Sequence, residues 1–136
     1  GSHSSSHPDP WTVTLPALVA DYRSGRAAVE EASGRRVSLF RPPKGYLDGS
    51  GAVAVRAVRL RPWLWTVDSL DWKPGATTEG ICAVVGRAGP GDVILLHDSI
   101  EGPLAPEALD RGATVSAVPH LVRCLRDRGL EFVGLS

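Results

Sequence analysis

The sequence predicts an α/β fold with parallel strands, on three observations. Four helical patterns alternate with four short apolar runs. One of these runs, Val93-Ile94-Leu95-Leu96, is continuously apolar, as a strand covered on both faces must be. The residues able to do chemistry cluster at the ends of such runs or in loops that can reach them, where α/β folds bind ligands. Strands separated by helices pair in parallel through right-handed crossovers.

The elements follow in order. The first helix is expected over Leu15 to Ser33, with Pro16 in its first turn and Gly34 just past its end. Leu18, Val19, Tyr22, Ala28 and Val29 recur at helical spacing, and Arg23, Arg26, Glu30 and Glu31 are left toward solvent. A strand is expected from Val37 to Phe40, stopped by Pro42 and Pro43. The second unit is a helix over Gly49 to Val58 and a strand over Pro62 to Val67, the third a helix over Thr77 to Ala88 and a strand over Asp92 to Leu96. The fourth is a helix over Thr114 to Arg128, stopped by Gly129, and a strand over Leu130 to Leu135. Four such units make half of an eight-stranded barrel or a small open sheet. Half a barrel leaves sheet edges to be covered by another chain or by exchange between copies.

Composition narrows the function. The chain has 136 residues, a length that fits one domain. Apolar residues make up 43%, enough for a packed core. The 15 basic and 15 acidic side chains balance, which removes the electrostatic case for nucleic acid. No apolar run approaches the roughly 18 residues of a membrane span, and no stretch of these residues reads as a signal peptide. The absence of Met implies a trimmed or replaced start, and 13 Arg against two Lys hints at a GC-rich bacterial gene. Cys82 and Cys124 fall in helical segments and are expected as buried free thiols, with a disulfide open to an exported protein.

Four polar clusters stand out: HSSSHP (His3 to Pro8), RPPKGY (Arg41 to Tyr46), DSLDW (Asp68 to Trp72) and LLHD (Leu95 to Asp98). His3 and His7 lie four apart, so one turn or a tight loop lets both imidazoles meet one metal ion. Gly1-Ser2-His3 is also what a cleaved expression tag leaves, so His3 is either native or an artefact. Taken singly, His97 could be a satisfied, partly buried histidine, Asp71 a helix cap and Arg41 a surface strand end.

In order and together, the clusters resemble the NodB-type polysaccharide deacetylases, carbohydrate esterase family 4. HSSSHP is similar to the family's His-x-x-x-His-Pro metal motif and RPPKGY to its Arg-Pro-Pro motif. VDSLDW resembles its Asp-Trp motif and ILLHD its closing Leu-His-Asp motif. The tail LVRCLRDRGLEFVGLS is similar to the family's last helix and strand. The resemblance covers essentially the whole chain. It implies that residues 1–136 form a partial deacetylase domain, the C-terminal part of a distorted NodB-like (β/α) barrel. It also favours a native His3, since members often carry Gly-Ser-His there.

The family's first motif, Thr-Phe-Asp-Asp-Gly, is not in the sequence. The resemblance assigns it the catalytic base and the third metal ligand, so a companion fragment or second chain is expected to supply both, and the chain alone is expected to be inactive or nearly so. The remaining roles are also those the resemblance implies. His3 and His7 would bind a divalent metal, zinc first. His97 would protonate the leaving amine, Asp71 would orient His97, and Arg41 would orient the base. The N–H of Lys44, which stands where the family usually has Tyr, would face the oxyanion. Tyr46, Trp72 and Leu95 would face substrate, the last two around the acetyl methyl. The implied substrate is an N-acetylated glycan or amino sugar, ahead of an O-acetylated one such as acetylxylan. The implied setting is extracellular or cell-wall associated, with a cytoplasmic one left open. The competing reading is a catalytically silent remnant that binds glycan or a partner. A plain α/β module leaves the clustering at strand ends unexplained.

Overall fold

The computed structural model describes residues 1–100 and 109–135. The described residues form two compact units, one of Gly1–Leu64 with Leu135 and one drawn from Trp65–Gly134.

In the first unit, α1 spans Leu15–Ser33, as the sequence leads one to expect. The Thr14 hydroxyl caps its start, and Gly34 ends it at φ 64°, a left-handed conformation that costs glycine little. Leu18, Tyr22 and Gly25 are its buried positions. Ala28, expected on the apolar face, is exposed, because Gly25 brings the chain so close that the buried stripe runs through it instead. Strand β1 is Leu39–Phe40, shorter than the Val37–Phe40 run. A 3-10 turn at Pro43–Gly45 leads to α2, Gly49–Ala57, and then to β2, Arg61–Pro62. Strands β1 and β2 pair in parallel, Leu39 beside Arg61 and Phe40 beside Pro62. Ser2 bridges Phe40, also in parallel. The core beneath them gathers Leu18, Tyr22, Phe40, Ala54, Val55 and Leu60, with the Tyr22 and Phe40 rings 4.5 Å apart.

In the second unit, β3 (Val67–Asp68) pairs in parallel with β4 (Ile94–Leu95). Helices α3 (Thr78–Val85) and α4 (Gly112–Asp127) cover them through Ile81, Val85, Ala117, Leu121 and Leu125, against which Val67, Ile94 and Leu96 pack. The Thr77 hydroxyl caps α3, and Gly129 at φ 80° follows α4, as its place after Arg128 predicts.

Three expectations are corrected. The Pro62–Val67 run is not one strand. Its ends join two different sheets, β2 with β1 and β3 with β4, and Pro62 has no N–H to extend a ladder. Residues 131–135 form no strand and stay exposed, Val133 at 81%, because an apolar run becomes a strand only where a ladder partner receives it. The thiols are free, but Cys82 is half-buried and Cys124 exposed. No helix among the described residues is long and apolar enough to cross a membrane.

Candidate active site

The first unit carries the histidine pair. The parallel bridge at Ser2, with Ser2 N–H donating to the Leu39 carbonyl at 2.8 Å and Arg41 N–H to the Ser2 carbonyl at 2.9 Å, delivers His3 beside the end of β1. There His3 Nδ1 lies 2.5 Å from the Arg41 carbonyl oxygen. A carbonyl only accepts, so Nδ1 carries the proton and Nε2 is the basic nitrogen, the tautomer a metal ligand needs. The His7 ring stands edge-on to that of His3, with centroids 5.0 Å apart. The loop between them turns at Ser4 (φ 69°) and His7 (φ 54°). Asp21 of α1 anchors it, accepting from the backbone N–H of Ser5 and Ser6 and from the Ser6 hydroxyl at 2.7 to 3.1 Å. Gly25, one helical turn on, lets the loop backbone lie against α1. A methyl group there would overlap the Ser4 carbonyl and sit 2.8 Å from Ser5 N. Gly25→Ala is therefore expected to destabilise the fold by about 1–3 kcal/mol, the usual cost of overpacking. Urea denaturation checks this, and an unchanged midpoint would show that the loop does not depend on that close approach.

The RPPKGY segment forms the turn after β1. Gly45 and Tyr46 N–H donate to the Pro42 and Pro43 carbonyls, both at 3.0 Å, whereas the turn makes no use of the Lys44 N–H. Lys44 itself adopts φ 53°, in the left-handed region. Its ammonium pairs with Asp9 at 2.7 Å in an exposed ion pair that adds little stability. Tyr46 packs on Trp11, ring centroids 4.5 Å apart.

The second unit carries a buried carboxylate. Asp71, 1% exposed, follows β3, and His97 follows β4, so the parallel pairing brings the two loops together. His97 Nδ1 lies 2.8 Å from Asp71 Oδ1, and the His97 backbone N–H donates to Oδ2 at 2.9 Å. The Ser69 hydroxyl donates to Oδ1 at 3.1 Å, the Thr114 hydroxyl to Oδ2 at 3.0 Å and Arg111 Nη2 to Oδ2 at 2.8 Å. Burial alone would push the Asp71 carboxyl up. The hydrogen bonds from the His97 ring and backbone, the His97 charge and the Thr114 hydroxyl together outweigh it and hold the group at about 2. An ionised carboxylate only accepts, so His97 Nδ1 is protonated and Nε2 is its second, exchangeable position.

The structure thus joins His3 with His7 and with the Arg41 backbone, and Asp71 with His97. Leu95 is buried in β4, and the half-buried Trp72 gives its indole N–H to the Asp68 carboxylate at 3.2 Å. The cavity beside Asp71 is lined by Lys73, Asp110, Arg111 and Thr114, not by Trp72 or Leu95. Among the described residues no group of three or more His, Cys, Asp or Glu side chains is gathered for a metal. The two imidazoles fit as part of a ligand set.

Asp21, Gly25, Arg111 and Thr114 escaped the sequence reading. Each meets its partner across 15 to 43 residues, and no spacing rule reaches that far. Gly25 inside an otherwise helical pattern was the one local signal, since glycine in mid-helix costs stability unless close packing needs it.

Parallel α/β folds bind ligands beyond the carboxyl ends of their strands, where Asp71 and His97 lie. Comparison with known proteins adds to this. The family model described as polysaccharide deacetylase matches residues 1–62. A chitooligosaccharide deacetylase of Sinorhizobium fredii is 33% identical over 135 residues, covering 94% of this chain and 61% of the relative. A bifunctional xylanase/xylan deacetylase of Cellvibrio japonicus is 31% identical over 129 residues, 95% of this chain and 18% of the relative. A family 4 carbohydrate esterase from Streptomyces lividans superposes with a TM-score of 0.79 at 30% identity, covering 98% of this chain and 64% of that one. The chain is similar to polysaccharide deacetylases of carbohydrate esterase family 4, and its parallel strands and alternating helices match part of their NodB-like barrel. It spans between 18% and 63% of the length of the first curated relatives it matches.

Proposed function

We propose that the chain supplies part of the active site of a metal-dependent hydrolase that removes N-acetyl groups from a glycan, in preference to O-acetyl groups. The observation that carries this reading is the Asp71 carboxylate, fully buried and bonded to both the ring and the backbone of His97. A satisfied core histidine needs one partner. This one is held in a single tautomer at a strand end, which suits a group that must hand a proton to a leaving amine. Relatives named for chitooligosaccharide and for peptidoglycan N-acetylglucosamine support a substrate containing N-acetylglucosamine.

In this reading His3 and His7 hold a divalent metal, zinc by the preference of two neutral imidazoles. A bound zinc supplies Lewis-acid polarisation of the acetyl carbonyl and activation of water. The Arg41 carbonyl keeps the His3 ring in its ligating tautomer. The Lys44 N–H meets the oxyanion. The Arg41 side chain orients the catalytic base, and Tyr46, Trp72 and Leu95 contact the sugar and its acetyl group. The base and a third ligand come from a Thr-Phe-Asp-Asp-Gly segment outside these 136 residues, continuous with them or on a companion chain.

A second reading, a silent domain that binds glycan or a partner, is favoured by the lack of a three-residue metal cluster among the described residues. A pseudoenzyme from Bacillus anthracis has the same fold, TM-score 0.77 at 23% identity. One experiment separates the two. The chain joined to a Thr-Phe-Asp-Asp-Gly segment is titrated with zinc by calorimetry and assayed on an N-acetylated chito-oligosaccharide. Zinc binding that His7→Ala abolishes, together with acetate release, is expected. A folded, zinc-binding but inactive protein would establish the silent reading.

A further inference from the structure

We infer that Arg111 is a positioning residue for His97, acting through the Asp71 carboxylate. This deepens the proposed function and rests on its reading of His97 as the proton donor.

Arg111 stands directly before α4 with its side chain 12% exposed. Its Nη2 lies 2.7 Å from the Asp71 backbone oxygen, 2.8 Å from Asp71 Oδ2 and 2.7 Å from Thr114 Oγ1. Donation within this group runs one way. Arg111 has only protons to give, and the two on Nη2 are shared among these three acceptors, so the Thr114 hydroxyl accepts from it and passes its own proton to Oδ2. Oδ2 thereby receives three donors, from Arg111, Thr114 and the His97 backbone, while Oδ1 receives the His97 ring and Ser69.

Because Arg111 holds both the main-chain oxygen and the carboxylate of the same residue, it fixes the torsions that join them. The carboxylate cannot swing Oδ1 away from the imidazole without breaking the bonds at Oδ2. Stability alone does not call for this group, since a buried ion pair is often no better than an apolar replacement of equal volume. Orientation of the imidazole does call for it, because a small misplacement of a proton donor costs turnover steeply.

The test uses the 136-residue chain with its histidine rings followed by 15N NMR. In the wild type, His97 is expected as the Nδ1–H tautomer with that proton protected from solvent exchange. Arg111→Gln and Thr114→Val are expected to expose the proton and mix the tautomers, while Thr114→Ser, which keeps the hydroxyl, preserves the wild-type signal. A folded Arg111→Gln protein with the signal unchanged overturns the inference. Should that variant fail to fold, an unchanged signal in Thr114→Val overturns it equally. In the chain complemented with the Asp-Asp segment, Arg111→Gln is expected to lower kcat by about tenfold to a hundredfold with KM changed less than about twofold. A loss confined to KM also overturns it. Wild-type protein inactive on acetylated sugars would sink the proposed function, while the NMR signal would still decide the role of Arg111.

Discussion

His97→Ala in the complemented protein is expected to lower turnover by about a hundredfold or more, the usual size of a lost acid–base contribution. The amine expelled from an acetamide is a poor leaving group unless it is protonated as the bond breaks. Asp71 holds the Nδ1 proton of His97 in place, so in the proposed reaction Nε2 delivers one. The interaction is made in the transition state and not with bound substrate, so KM should hold nearly constant while kcat and kcat/KM fall together. Steady-state kinetics on a chito-oligosaccharide reads this directly. A variant that keeps more than about a tenth of wild-type turnover would remove His97 from the chemistry.

Asp71→Ala is expected to cost about 3–5 kcal/mol of folding stability, because it leaves the nearly buried Arg111 guanidinium without its counter-charge. The loss depends on pH. The Asp71 carboxyl sits at about 2 in the folded protein against 3.8 for the free group, so it is depressed on folding. A depressed carboxyl contributes stability above the unfolded value, and that contribution fades as pH falls through the folded one. Between about pH 4 and pH 2 the wild type should therefore lose about 2 kcal/mol that the variant does not have to lose. Urea denaturation of both proteins across this range measures the convergence. A constant difference from pH 5 to pH 2 would mean that the carboxyl is not depressed.

Much of this molecule was legible along the chain. Thr14, Pro16 and Gly34 bound α1 because capping and left-handed turns depend on a few consecutive residues. Gly129 ends α4 for the same reason. The four motifs, each within six residues, placed His3, His7, Arg41, Lys44, Asp71 and His97 in loops at the strand ends. The limits of local reading show in the 62–67 run, whose apolar character says strand but not to which sheet each end belongs. The 130–135 run likewise reads as a strand that has no ladder partner among the described residues.

Residue types, helix limits and the family motifs are therefore properties of the sequence by itself, since each is written in short-range sterics and hydrogen bonding. The tertiary structure alone decided that Gly25 and Asp21 seat the histidine loop on α1. It also decided that Ser69, Arg111 and Thr114 close around Asp71. Those choices come from packing and desolvation. A buried carboxylate must find donors wherever the fold has brought them, and for Asp71 they arrive from residues 26 to 43 positions away as well as from Ser69, two positions before it.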